Sequence, residues 1–461
     1  MAILAAYALP HPPLAVPDVG RGQQDRIHKT LDAFEEAARG IEELAPETIV
    51  FITPHDVRYA DYFHISPREK ASGNLSHFGA PQVRFDVSYD TALAGEVERC
   101  AGDMGIPAGT VGQRDAMLDH GVMVPMWFIN RHYTSYRAVR VSQSGMDPEQ
   151  HYRMGQCLRE AADRCGRRIV IVASSDLSHR LSEDGPYGYA PEGEIFDAAA
   201  VKALSTGDFL PLFEIPESLL EAAGECGYNS LMMMAGCFDC QDVDASLLSY
   251  EGPFGVGYAV ARILPKGRDD SRDILAQYER ESAMKTMEGQ KGEDSYRALA
   301  RQSLEHRVRT GGTLQLPGGL PDEMLNQRAG TFVSLHKNGR LRGCIGTIAP
   351  TTKCVAQEIL QNAVSAGLHD SRFPPVSEAE LPLLTYKVDV LSPPEEIEGP
   401  GELDVLRYGV IVSSGMKRGL LLPNLEGVDT VEQQIAIARQ KGGISEGAQL
   451  RLERFEVIRH E

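Results

Sequence analysis

Three short apolar runs, "ILAAYAL", "TIVFIT" and "IVIVAS", constrain the first half of this chain more than any other feature. None alternates apolar with polar residues, so none reads as a strand with one wet face. A strand that is apolar throughout is covered on both faces, as in a parallel sheet flanked by helices. The intervening sequence agrees. Ile27, Leu31, Phe34, Ala38 and Ile41 recur at helical spacing in "RIHKTLDAFEEAARGIEEL". The helical stretch "EQHYRMGQCLREAADRCG" separates strand-like "YRAVRVSQ" from "RRIVIVASSD". Strands alternating with helices predict an α/β domain with a largely parallel central sheet flanked by helices. It closes near "GYAVARILP", so the first domain is expected over residues 1–265.

A chain of 461 residues predicts two or three domains at roughly 150 residues each. The charged stretch "KGRDDSRDILAQYERESAMKTMEGQKGED" reads as a partly helical surface linker over 266–292. Residues 293–461 open with helical "SYRALARQSLEHRV" and continue through "GTFVSLHKNGRLRGCIGTI". There Asn338-Gly339 marks a hairpin, so an α+β unit is expected. Lys plus Arg number 46 against 65 Asp plus Glu, a net charge of −19. Such a surface repels phosphate backbones and argues against a nucleic-acid partner. No run approaches the ~20 apolar residues of a membrane span, and Met1–Leu9 lacks the basic segment of a signal peptide. Eight cysteines in this length make no disulfide framework, and Cys237–Cys240 lacks the partners of a zinc site. A reduced, cytoplasmic protein is expected.

Histidines follow the apolar runs: His11 after "ILAAYALP", His55 after "TIVFITP", His179 after "RIVIVASSDLS". In a parallel sheet the carboxyl ends of the strands share one edge, where such folds bind ligands. His120, in "LDHGVMVPMWF", is a fourth candidate, with Asp119 placed to orient its ring. Two neutral imidazoles and one carboxylate form the ligand set of non-haem Fe(II) sites. "AAGECGYNSLMMMAG" offers Glu225 for the carboxylate, ahead of an apolar helix-like run. Cys226 is the rival ligand, since a thiolate also binds metal well.

The first ~265 residues resemble the class III extradiol dioxygenases, the superfamily of the protocatechuate 4,5-dioxygenase catalytic subunit. The resemblance rests on "PHPP", "TPH", "DHGVMVP", "SSDLSH", "YGYAPEGEIFD" and "GECGYNSL", in order and spacing. It implies that His11, His55 and Glu225 hold Fe(II), that His179 is the acid/base, and that His120 lines the pocket, binding substrate or oxygen. It implies a small aromatic vicinal diol or aminophenol and O2 as substrates, and a homo-oligomer. One departure stands out: the extradiol enzymes carry a tryptophan shortly after the glutamate, and this chain has Tyr228-Asn229-Ser230. "ECGYNSL" is also similar to the Memo proteins, where a cysteine in register with Cys226 takes the third metal position. That likeness implies a metal-binding protein without ring cleavage; a Zn(II) hydrolase or transferase would use the same pocket without oxygen.

Residues 293–461 resemble the AMMECR family through "LRGCIGTI", "HDSRFPPV", "LPLLTYKVDVLSPPEEI" and "GLLLPNLEGVD". Cys344 beside Arg342 reads either as a nucleophile with a lowered pKa or as a small buried residue in a strand. Arg342, Asp370 and Arg372 are expected to form a polar cluster suited to a small anion or a peptide. The unit would then recognise a protein or peptide for the first domain.

Overall fold

In the computed structural model, which describes residues 2–112, 117–425 and 427–461, the apolar runs become strands β1 (Ile3–Leu9), β2 (Thr48–Thr53) and β4 (Ile169–Ser174). β3 (Arg137–Ser142) lies between β2 and β4 in sequence. The described residues of the first unit build a six-stranded sheet of order β3-β2-β4-β1-β6-β5, completed by β5 (Gln241–Glu251) and β6 (Tyr258–Arg268). Pairing is parallel for β3–β2, β2–β4 and β4–β1, and antiparallel for β1–β6 and β6–β5. The expected parallel sheet is therefore present with two antiparallel strands added at one side.

Alternate residues of these strands enter two separate cores. Ala6, Ala8, Val50, Ile52, Ile169 and Ile171 face one way, with α3 (Pro148–Cys165), α4 (Pro191–Thr206) and α5 (Tyr228–Gly236). Tyr7, Leu9, Ile49, Phe51, Val170 and Val172 face the other, with α1 (His28–Leu44) and α2 (His120–Ile129). Side chains two apart share a face, so a strand covered on both sides must be apolar at every position.

The chain divides into residues 1–278 and 279–461, and α6 (Ile274–Gln290) runs through that division. The stretch 266–292 thus holds the end of β6, a short turn and α6. Ile274, Leu275 and Tyr278 are buried in the first unit's core, with Tyr278 stacked on Phe213 at 4.7 Å. Among the described residues no helix is long and apolar enough to cross a membrane.

The described residues of the second unit form two four-stranded sheets. One has the order β8-β7-β9-β14, from β7 (Thr331–Lys337), β8 (Arg340–Gly346), β9 (Leu384–Leu391) and β14 (Val457–His460). The other has the order β10-β13-β11-β12, from β10 (Glu395–Ile397), β11 (Gly409–Ser414), β12 (Lys417–Leu421) and β13 (Arg451–Phe455). Helices α7 (Ser295–Thr310) and α8 (Val355–Leu368) cover the first sheet, and α9 (Val431–Lys441) the second. β7 and β8 are joined at Asn338-Gly339, with φ of 53° and 79°. Both residues are left-handed, as the expected tight hairpin requires.

A fragment of residues 1–278 is expected to unfold cooperatively in urea. Ending it at 265 removes three buried side chains worth ~1.5–3 kcal/mol each, so its urea midpoint should fall clearly. Within the full chain, Tyr278→Ala should cost about 3 kcal/mol; equal midpoints for the two fragments would contradict this packing.

Candidate metal centre

β1 ends because Pro10 and Pro12 have no N–H to continue the ladder. The one amide between them, His11 N–H, donates to Asp176 Oδ1 at 2.7 Å. This bond ties the end of β1 to the loop after β4 and leaves the His11 ring buried at the sheet edge. His55 follows β2, its N–H donating to Thr53 Oγ1 at 3.2 Å. Its ring stacks on His120 with centroids 4.1 Å apart. The His11 ring stands 4.7 Å from His55 and 5.4 Å from His120. His11 Nε2 and His55 Nε2 are 2.9 Å apart, and Cys226 Sγ lies 3.5 Å from His11 Nε2. Donor atoms of His11, His55 and Cys226 all fall within 4.8 Å of one another. His55 is exposed and Cys226 half-buried, so the cluster is open to solvent on one side.

Gly227 permits the approach of Cys226. A Cβ there would sit 2.6 Å from the Asp176 carbonyl oxygen, so any other residue would push the loop off the end of β4. With glycine the loop lies close enough for Cys226 Sγ to reach that same oxygen at 3.7 Å. Glu225, the expected carboxylate ligand, is directed elsewhere. Its Oε2 accepts the Tyr228 N–H and so caps α5. The first N–H groups of a helix lack partners, and a carboxylate just ahead of them is drawn there first.

Burial sets the protonation of the cluster. Desolvation, reinforced by His55 and His120, holds the His11 imidazole well below its ordinary pKa. Desolvation and His120 bring His55 down to about 4, and desolvation alone brings His120 to about 4. All three rings are neutral at neutral pH, with nitrogen lone pairs available. The Cys226 thiol is pushed well above its usual range by burial, Asp176 and Glu225.

His179 lies close enough to depress both His11 and His55. Burial lowers its own pKa as well, and its ring meets Tyr187 edge-on at 5.3 Å. Its neighbours in sequence are engaged elsewhere: Asp176 is bonded to His11, and Ser178 Oγ donates to the Ala223 carbonyl. Asp119 likewise does not orient His120. Its Oδ1 accepts from Thr53 Oγ1 at 2.6 Å, and its Oδ2 lies 4.0 Å from Arg140.

Arg140 escaped the sequence reading. It sits in β3 only 1% exposed, a cation in a buried strand. Its Nε lies 3.0 Å from Asp56 Oδ2, and its Nη1 donates to the Met117 carbonyl at 2.8 Å. One buried guanidinium thus braces the residue after His55 and the residue before His120. Burial would raise Asp56, but His64, Arg140 and Ser142 outweigh it and hold the carboxyl below its ordinary value. The signal was available: an arginine between two valines in "AVRVS" is out of place in a covered strand unless it is paired.

In the second unit Cys344, Asp370 and Arg372 come together in a structural arrangement, while Arg342 pairs with a different carboxylate. Cys344 lies on β8, an edge strand. Its N–H donates to Asp370 Oδ2 at 2.9 Å, and its carbonyl accepts from Arg372 Nη2 at 3.3 Å. Arg342 is engaged with both carboxylate oxygens of Glu380. Burial raises the Cys344 thiol despite Ser334 and Arg372, opposite to the shift the nucleophile alternative needs and in keeping with a strand residue. Asp239, Cys240 and Asp273 form another close donor group, but Tyr152 and Gln156 already hold the Asp239 carboxylate.

Residues 5–261 match the family described as the catalytic LigB subunit of aromatic ring-opening dioxygenase, and residues 297–460 match the AMMECR1 family. A protein of Clostridium acetobutylicum is 40% identical over 100% of this chain and 99% of its own length. A Thermotoga maritima protein is 48% identical over 37% of this chain and 98% of its own. The crystal structure of an uncharacterized protein from Pyrococcus horikoshii is similar at 31% identity and a TM-score of 0.33, covering 36% of this chain and 88% of that one.

Arg140→Met should destabilise the protein by about 3–5 kcal/mol, because buried carboxylates lose their counter-charge. Adding Asp56→Asn should restore part of this in urea unfolding; a single-variant loss under about 1 kcal/mol would show that Arg140 balances nothing. Arg372 holds the Asp370 carboxyl well below its ordinary range. A depressed folded pKa gives stability that is complete above the unfolded value and lost as pH falls. The stability gap between wild type and Asp370→Asn should therefore be full at pH 7 and shrink below about pH 4. A gap that stays constant down to pH 2 would rule out the charge as its source.

Proposed function

The chain belongs to the family of the catalytic LigB subunit of aromatic ring-opening dioxygenases, with an AMMECR1 domain following in the same chain, and on that premise we propose that its first unit binds one transition-metal ion through His11, His55 and Cys226. The observation that carries this reading is that Cys226, not Glu225, faces the two imidazoles. Two imidazole nitrogens 2.9 Å apart, with a sulfur 3.5 Å from one of them, fit donors around a shared ion at about 2.0–2.1 Å for nitrogen and about 2.3 Å for sulfur. Fe(II) and Zn(II) are both served by such a set. This is the Memo-like arrangement, and it lacks the carboxylate of the usual iron triad.

The bound ion would supply Lewis acidity, and redox capacity if it is iron. The remaining work falls to the chain. The neutral His179 imidazole is suited to take a proton from a bound hydroxyl and return it. Phe78 packs edge-on to His120 at 5.2 Å. Tyr187 stands beside His179 in the same way. A second reading, O2-dependent cleavage of a vicinal aromatic diol or aminophenol, is supported by the family match and by these two aromatic side chains.

Metal analysis after anaerobic purification tests the ligand set. Wild type and Glu225→Gln should each retain about one equivalent of metal, while His11→Ala and Cys226→Ala should lose it. Retention by Cys226→Ala with loss by Glu225→Gln would reverse the assignment. Metal uptake by wild type should weaken as pH falls, because the Cys226 thiol must release its proton. Oxygen consumption with a panel of catechols separates the two readings: none is expected of a Memo-like centre, and turnover would establish ring cleavage.

A further inference from the structure

Ser174, the last residue of β4, is fully buried and touches two groups. Its Oγ lies 2.6 Å from the Gly121 carbonyl oxygen and 2.8 Å from His11 Nδ1. A carbonyl can only accept, and a serine hydroxyl has a single proton. That proton therefore goes to Gly121, and only lone pairs remain to face His11. A hydrogen bond at His11 then requires the proton on Nδ1. From this we infer that Ser174 is a positioning residue that locks His11 in the Nδ1–H tautomer and so leaves the Nε2 lone pair facing His55 and Cys226.

The surrounding geometry supports the lock. Gly121 follows His120 at the start of α2, so the same bond anchors the helix that carries the third ring. A Cβ at Gly121 would lie 2.5 Å from Thr53 Oγ1 and 3.1 Å from Ser174 Oγ, so glycine is what lets the carbonyl come this close. The His11 amide is held independently by Asp176, which fixes the ring from the main-chain side. Ring orientation and tautomer are thus set by separate bonds. The opposite tautomer would oppose two lone pairs at 2.8 Å in a site with no solvent to relieve them. With the His11 Nε2 lone pair free, the 2.9 Å contact to His55 requires His55 to donate its Nε2 proton while no ion is bound. Of the two imidazoles, only His55 would then have to shift its proton from Nε2 to Nδ1 in order to ligate, because His11 is already in the ligating form.

The value of this tautomer rests on the metal-centre reading, but its existence does not. Full-length protein with 15N-labelled histidine, stripped of metal by chelator, would be examined by long-range 1H–15N correlation, with His11→Gln to identify the His11 signals. The expected spectrum of wild type shows His11 protonated on Nδ1 alone. Ser174→Ala should give a mixture of tautomers and bind Co2+ about 10–100-fold more weakly in a chelator competition. Ser174→Thr keeps the hydroxyl and should restore both. A proton on Nε2 of His11 in wild type overturns the inference with no variant needed. An unchanged tautomer and Co2+ affinity in Ser174→Ala overturns it as well. Should wild type show the Nδ1–H tautomer yet bind no Co2+, the inference stands and the metal-centre reading fails.

Discussion

β4 pairs in parallel with β1 on one side and β2 on the other, with Leu9 opposite Ser174 and Ile52 opposite Ala173. The centre depends on that register. It brings the strand ends level, so that the residues just beyond them, His11, His55 and Asp176, meet at one edge. A slip of one residue would turn every side chain of β4 to the other face. Val170 and Val172 would exchange cores with Ile169 and Ile171, and Ser174 would point away from His11. The two cores therefore do more than stabilise the unit: they forbid the registers in which His11, His55 and Asp176 would not meet.

Over this frame lies a layer of buried polar groups that apolar packing cannot place. Asp176 holds the His11 amide, Ser174 its ring, and Arg140 braces Asp56 and Asp119 on either side of the His55–His120 stack. Each is costly to bury alone and stable when paired, so the network tolerates few alternatives. The result is a set of neutral rings gathered at the sheet edge where open α/β sheets bind ligands.

The second unit uses the same physics for a different end. Edge strand β8 would present unpaired peptide groups at Cys344, and the Asp370–Arg372 pair satisfies both of them, as a neighbouring strand would. The residues of "LRGCIG" and "HDSRF" that suggest a reactive site by composition thus first account for the integrity of an edge. Their proximity is real, but the thiol among them is stabilised in its protonated form.

Unbroken apolar runs and the prolines around His11 determined, from the sequence alone, a sheet covered on both faces and the sheet edge that carries the histidines, because burial on two faces and loss of an amide donor are local properties of a segment. Asn338-Gly339 determined its hairpin for the same reason. Tertiary structure decided what depends on competition between partners far apart in the chain. Glu225 and Cys226 are adjacent, and either can ligate. It is Cys226 that lies beside His11, because the Tyr228 N–H at the start of α5 donates to Glu225, while Gly227 lets Cys226 settle against Asp176. Arg140, Ser174 and Gly121 likewise take their roles from contacts across more than fifty residues or between separate elements, which no spacing in the sequence displays. Local periodicity reveals which segments are buried; which polar group meets which is settled only when those segments pack.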